Sequence, residues 1–326
     1  MARKFSNNHA ISLPLAVWLA RDEYDHDDRP NVISATSLLK SVRQIVLSTR
    51  VVPTAGNLED ISNRLASRIG TALHNSVEHA WTENYGRALS DLGYPQHAID
   101  RVVINPDKTK ENDIPVYFEQ RSEKQIGKWI VSGQFDLVFD GAVNDVKSTS
   151  VYTWINKTND EKYKKQLSIY RWLNPEIITK PHGAIQFIFK DWNKNMAMGK
   201  DKRYPKLPVM EYKLELDLPS TTEMWVTQKL NQIDEYLQVP EPELPLCTPE
   251  DLWQSEPQFK YYSSPSAKRA TKVFDNMAEA RRYLMVQKKG IGLVKEVYGE
   301  PTACKFCPCA GICSQYKGFV QQGLIK

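Results

Sequence analysis

The chain has 326 residues, enough to bury a full core in one large domain or two modest ones. Charged residues make up 25% and the hydrophobic set 41%, which excludes wholesale disorder, while a net charge of +4 is too small to identify a nucleic-acid partner by itself. No run approaches the roughly 18 apolar residues of a bilayer span, and the first residues lack a signal peptide's apolar stretch, so a cytoplasmic protein with no membrane partner is expected.

In chain order, residues 1–57 give a Pro-containing apolar stretch from Ile11 to Leu19, an acidic turn from Asp22 to Asp28, and a short helix from Ala35 to Ser48. This mostly helical N-terminal region carries no chemistry. Leu58 to Leu89 reads as the longest helix, with Ile61, Leu65, Ile69, Leu73, Val77 and Ala80 forming one buried stripe. Gly70 would admit another backbone closely, and His74 and Glu78 share a face one turn apart, as site residues or as structural ones. Residues 90–116 read as a loop-rich connection broken by Pro95, Pro106 and Pro115. Val116 to Glu119 restarts a strand, with Glu119 a weak site candidate, and a polar turn leads on.

Ile130 to Phe139, the Asp140-Gly141 turn signal and the extended pattern resuming at Asp145 then give a hairpin, hence three antiparallel strands. Side chains alternate along a strand, so Asp145 and Lys147 project from one face while Val146 points into the core. With Asp136 on the neighbouring strand, two carboxylates and a lysine meet in a set that suits Mg²⁺ or Mn²⁺ and phosphodiester chemistry; the plain alternative is ordinary strand-end acids. Asp160 to Leu173 reads as a helix that puts Gln166 and Tyr170 on one face. Ala184 to Phe189 and Val209 to Leu216 read as strands, giving a mixed α/β sheet. The loop between them, 191–208, is basic through Lys200, Lys202 and Arg203, with Trp192 and Tyr204 as stacking candidates for a single strand.

A helix over Thr221 to Leu237 precedes Pro240, Pro242 and Pro245, which set the domain boundary: a core over 58–239 and a C-terminal segment over 240–326. That segment holds a basic run around Lys268 and Arg269, a helix from Met277 to Gln287, and the cysteines. Cys304, Cys307 and Cys313 are spaced to converge on one metal centre, with Cys247 as fourth ligand and Cys309 as its alternative. Both Zn²⁺ and a [4Fe–4S] cluster accept four thiolates, and the spacing leaves the two open.

Taken together, the Gly70 to Glu78 segment, the hairpin ending in Asp145-Val146-Lys147, the Gln166 to Tyr170 pair and the terminal cysteines resemble the RecB-like branch of the PD-(D/E)XK nucleases. The chain is similar to phage and bacterial exonucleases of that branch, to the AddB nuclease domain and to CRISPR-adaptation nucleases with a C-terminal iron–sulfur cluster. The resemblance spans roughly residues 32–316 and implies a restriction-endonuclease-like core, a mixed central sheet flanked by helices, acting on DNA. It implies His74, Asp136 and Asp145 as metal ligands, Lys147 as the catalytic lysine, Glu78 as a helper of His74, and Gln166 and Tyr170 as the motif set against the DNA. The implied activity is Mg²⁺- or Mn²⁺-dependent exonucleolytic cleavage of linear DNA, single-stranded or at duplex ends, in recombination, repair or phage DNA processing. A helicase, a recombinase or further copies of the chain are the partners such a role would use; a non-catalytic DNA-binding module and a structure-specific endonuclease are the alternatives. One departure is plain: the family's first cluster cysteine, expected around Ser34 to Ile45, has no counterpart here.

Overall fold

A computed structural model describes residues 5–21, 27, 29–51 and 58–325, so the expected acidic turn at Asp22 to Asp28 lies outside the described residues except for Asp27. The chain divides into two compact units, Met1–Leu39 with Pro53–Leu230, and Lys40–Val52 with Asn231–Lys326. Among the described residues no helix is long and apolar enough to cross a membrane.

Two short strands, β1 (Phe5–Ser6) and β2 (Val32–Ser34), flank helix α1 (Leu13–Ala20). The helix expected over Ala35 to Ser48 is two helices, α2 (Ala35–Leu38) and α3 (Val42–Ser48). The cause is local: Ser34 accepts the Ser37 N–H and Ser41 accepts the Gln44 N–H, each at 3.1 Å, so each serine starts its own helix. After β3 (Glu59–Asp60) and a 3₁₀ turn at Ile61–Arg64, helix α4 runs over Leu65–Asp91. Its expected stripe is corrected. Leu65 is half exposed, Ala80 is exposed, and the buried contacts come from Val77, Trp81, Tyr85 and Leu89 against Val102, Val116 and Phe118. Gly70 faces open space rather than a neighbouring backbone.

The stretch expected to be a loop over 90–116 holds helix α5 (Gln96–Ile99) and strand β4 (Val102–Ile104), which pairs in parallel with β5 (Ile114–Phe118). The polar turn after β5 is itself a hairpin, β6 (Arg121–Ile126) and β7 (Trp129–Gln134), joined in a three-stranded sheet of order β2-β7-β6. The single strand expected over Ile130 to Phe139 is therefore split. Its first part is β7; Phe135 is fully buried at the crossing, and β8 (Leu137–Phe139) begins the next sheet.

Strand β9 (Ala142–Thr149) follows through Asp140 and Gly141, whose φ values of 45° and 77° make the tight hairpin turn the sequence signals. A Cβ at Gly141 would stand 2.3 Å from Thr179 Oγ1, so both conformation and space require glycine. Helices α6 (Val151–Asn156) and α7 (Asp160–Leu173) carry the chain to β10 (His182–Phe189), parallel to β9. A short helix α8 (Lys194–Ala197) interrupts the basic loop before β11 (Val209–Glu215) and α9 (Pro219–Tyr236). The six strands order as β11-β10-β9-β8-β5-β4, with β8 antiparallel to both β5 and β9 as expected. This is a mixed α/β sheet with β9 at its centre.

In the second unit, β12 (Gln258–Tyr262), β13 (Lys272–Phe274) and β14 (Leu293–Val297) form a sheet absent from the sequence reading. Helix α10 (Met277–Arg282) covers one face, and the expected helix to Gln287 ends in a π turn over Tyr283–Gln287. Helix α11 (Ser314–Gln321) follows the cysteines.

Candidate active site

The chain's change of sheet at Phe135 and Asp136 makes the site. Because β8 starts only at Leu137, paired with Asn144, the next outward-facing peptide groups of β9, those of Val146, have no strand beside them. Two side chains take their place. Asp136 Oδ2 accepts the Val146 N–H at 2.9 Å, and the Val146 carbonyl accepts from His74 Nε2 at 2.9 Å. With Nε2 as donor, Nδ1 faces Asp136 Oδ1 at 3.3 Å and Glu119 Oε1 at 4.0 Å, and becomes a free ligand atom once its proton is lost. A backbone carbonyl fixing the far nitrogen is how a metal-binding histidine is oriented.

Glu119 enters by the same break. It follows β5 with φ of 48°, a left-handed conformation rare for such a residue, and Gln134 Nε2 donates to its Oε2 at 2.8 Å, leaving Oε1 toward His74. His74, Glu119 and Asp136 each offer a ligand atom within 4.8 Å of the others. They border a void of about 10 Å³ with Glu78 and Val146, room for one ion.

Asp145 and Lys147 stand beside this set. Asp145 is 1% exposed; its Oδ2 lies 2.6 Å from Lys147 Nζ without hydrogen-bond geometry, and its Oδ1 accepts from Gln166 Nε2 at 3.0 Å. Gln166 also donates to the Tyr170 hydroxyl oxygen at 2.9 Å. Leu167, Ile169 and Trp172 bury the rest of α7, so both polar side chains are held from behind. Gly133 makes the approach possible, since a Cβ there would meet Leu173 Cδ1 at 2.6 Å and Tyr170 ring carbons at 3.3 Å.

Crowded charge explains the protonation of the site. Burial and the neighbouring Asp136 push Glu119 up to about 7, and the same two causes hold Asp145 above the usual carboxylate range. Burial would lower His74, but its hydrogen bond and charge contact with Asp136 outweigh that and raise it to about 9. Burial likewise opposes the Lys147 charge, and Asp145 with Asp136 hold it above its ordinary value. Two carboxylates, Glu119 and Asp136, meet an imidazole nitrogen at one small void and form a donor set that fits a divalent cation, whereas Asp145, expected as a ligand, lies beside this group rather than in it. Mixed nitrogen and oxygen donors suit Mn²⁺, and the carboxylates suit Mg²⁺.

The set opens into a cleft of about 910 Å³ whose walls carry Arg64, Arg68 and Arg121 as well as His74, Glu78, Glu119 and Tyr170. The cleft thus has an acidic end and a guanidinium-rich wall. A separate hollow of about 710 Å³, lined by Trp81, Leu92, Tyr94 and Phe139, contains none of these residues. Sequence reasoning missed the three arginines and undervalued Glu119; the arginine pair at 64 and 68, one turn apart, was the available signal.

The basic loop is held by its own residues. Arg203 pairs with Asp201 at 2.9 Å, Trp192 Nε1 donates to the Pro205 carbonyl, and Tyr204 accepts from the Asn193 N–H. Lys200 and Lys202 are exposed.

In the second unit Cys247, Cys304, Cys307 and Cys313 are free thiols of one locality. Burial and the other three sulfurs push Cys304 up to about 11, whereas the thiol and N–H of Cys309 lower Cys307 to about 6. Arg43, 1% exposed, donates from Nε to Cys313 Sγ at 3.3 Å. Ser41, within the segment where a first cluster cysteine would fall, has its Oγ 3.1 Å from Cys247 Sγ. Cys309 is buried among Val42, Val46, Leu47 and Leu244. No three of the sulfurs lie within 4.8 Å of one another among the described residues, wider than the ~3.8 Å edge of a zinc tetrahedron.

No protein-family model matches the chain, and no curated protein matches it. Among solved structures it is similar to SSO0001, with 17% identity and a TM-score of 0.40 over 66% of this chain and 81% of that one. It is also similar to a phage related exonuclease from Haemophilus somnus 129PT, with 12% identity and a TM-score of 0.29 over 63% of this chain and 92% of that one. Likenesses of this size carry no argument, so the reading of the site stands on its geometry.

Proposed function

We propose that the chain is a metal-dependent deoxyribonuclease that degrades linear DNA from its ends. The observation supporting this most is the break at Asp136, where one residue's peptide groups align His74 and Asp136 with Glu119 beside the Asp145–Lys147 pair. His74, Asp136 and Glu119, with Asp145 adjacent, would hold a Mg²⁺ or Mn²⁺ ion, which would supply a Lewis acid for the scissile phosphate and lower the pKa of a bound water. Lys147, kept charged by Asp145, orients the attacking water and offsets charge developing on the phosphate oxygens. Gln166 holds the other oxygen of Asp145 so that this carboxylate cannot turn away from Lys147. Arg64, Arg68 and Arg121 take neighbouring phosphates along the cleft. Lys200 and Lys202 add contacts to the strand. The thiols of Cys247, Cys304, Cys307 and Cys313 hold a [4Fe–4S] cluster that fastens the C-terminal segment in place.

The test compares end-labelled linear DNA with covalently closed circular DNA, each with Mg²⁺ or Mn²⁺, using the intact protein and Lys147→Ala. Shortening of linear DNA alone, lost in Lys147→Ala, is the expected result. Cutting of circular DNA would make it an endonuclease, and no cutting of either would leave a DNA-binding module.

A further inference from the structure

Residues 258–297 carry nine lysines and arginines against three acids, whereas the whole chain nets only +4, so the positive charge is concentrated in one small sheet module. Elsewhere lysines find acids, as Lys164 and Lys165 do with Asp217 at 2.7 and 2.6 Å. None of the nine forms an ion pair among the described residues.

Topology gathers these charges. Tyr262 at the end of β12 pairs with Leu293 at the start of β14, and Tyr261 pairs with Lys272 at the start of β13. The β12–β13 connection, with Lys268 and Arg269, and the turn into β14, with Lys288 and Lys289, therefore lie at the same end of the sheet. That end is firmly built: Tyr261 donates from its hydroxyl to the Ile291 carbonyl at 2.8 Å, and a Cβ at Gly292, φ 98°, would strike the Tyr262 carbonyl at 2.4 Å. Helix α10 covers the face of Tyr261 and Phe274. The other face carries Lys260 directly opposite Lys295, with Lys295 Nζ 5.4 Å over the Tyr262 ring. Like charges set opposite each other across strands repel and destabilise a sheet, a repulsion that an anion bound along this face would relieve.

We infer that this face and its basic end form a second nucleic-acid contact, separate in its residues from the cleft, which grips the phosphate backbone of DNA. A row of lysines with an aromatic ring among them suits a strand of regularly spaced phosphates and bases. An anionic membrane is less suited, because the most exposed apolar residues here, Met285, Val286 and Ile291, lie on the π turn and the following loop, and only Val273, half exposed opposite Lys260, joins the lysine face. The inference stands on binding and does not require that the cleft cut DNA.

The test uses the full chain in the Lys147→Ala background with EDTA, so that turnover plays no part, and reads anisotropy of a labelled oligonucleotide between about 50 and 200 mM salt. Neutralising Lys268, Arg269, Lys288 and Lys289 together to Gln should weaken binding at least ~10-fold and flatten the slope of log K against log salt by about three. A second variant, Lys260→Gln with Lys295→Gln, should bind DNA more weakly yet melt at a higher temperature, which a purely structural role would not produce. Unchanged affinity and slope in both folded variants overturn the inference. So does loss of sedimentation with phosphatidylserine vesicles while DNA binding stays intact, which would assign the surface to a membrane.

Discussion

Loading the candidate site with Mn²⁺ should expel protons in a number that pH controls. His74 is raised to about 9 and Glu119 to about 7, and both must lose their protons to ligate. Treated as independent groups, they release about 1.9 protons per ion near pH 6 and about 1.0 near pH 8, and the apparent affinity rises about 900-fold between the two. Titration calorimetry in two buffers of different ionisation enthalpy reads the proton count directly. Glu119→Gln removes one titrating ligand, so release near pH 6 should fall to about one. The ion-free fold carries the same signature. Glu119 favours its proton in the folded state between its ordinary 4.5 and about 7, and the contribution of His74 is complete below its ordinary 6.5 and lost as pH rises through about 9. Melting temperature in EDTA should therefore decline from acid to alkaline pH, while the increment given by Mn²⁺ grows. Buffer-independent heats with a pH-independent affinity would refute the assignment of these two ligands.

Three further outcomes follow from single contacts. Lys147→Ala should lower turnover at least ~100-fold while leaving Mn²⁺-linked proton release in place, which separates the lysine's role from ion binding. Gly133→Ala places a Cβ 2.6 Å from Leu173 Cδ1 and should cost about 1–3 kcal/mol in urea unfolding; a neutral result would mean that β7 and α7 can part without loss. Arg43→Met strips a buried guanidinium from Glu241, the Leu244 carbonyl, Ser314 and Cys313, and should destabilise by about 3–5 kcal/mol, with an unchanged urea midpoint showing the network to be dispensable.

Local signals were the legible ones. Helix α7 falls over Asp160–Leu173 as the periodicity requires, and the Asp140-Gly141 turn sits where its residue types demand. Asp136, Asp145, Lys147, His74, Gln166 and Tyr170 were identified from spacing and resemblance, and the fold brings them to one place. What stayed hidden depends on partners distant in the chain. Strand β4 is three residues long and becomes a strand only by pairing with β5. The split of 130–139 arises because β2 captures β7 in a separate sheet, which no pattern within that stretch reports. The stripe on α4 misleads because Ile69 and Leu73 are only half-buried and Leu65 is more exposed still, while the packing is carried further along by Val77, Trp81, Tyr85 and Leu89.

The interruption of the ladder at Val146 also bears on how loss-of-function variants should be interpreted. An uncovered strand rim invites another chain to add itself, and here His74 and Asp136 are what cover it. Alanine at either position would remove a ligand and uncover a main-chain group at once, so an inactive alanine variant mixes lost chemistry with a tendency to self-associate. Asp136→Asn keeps an oxygen for the Val146 N–H while discarding the charge, and is the substitution that isolates the ligand's role.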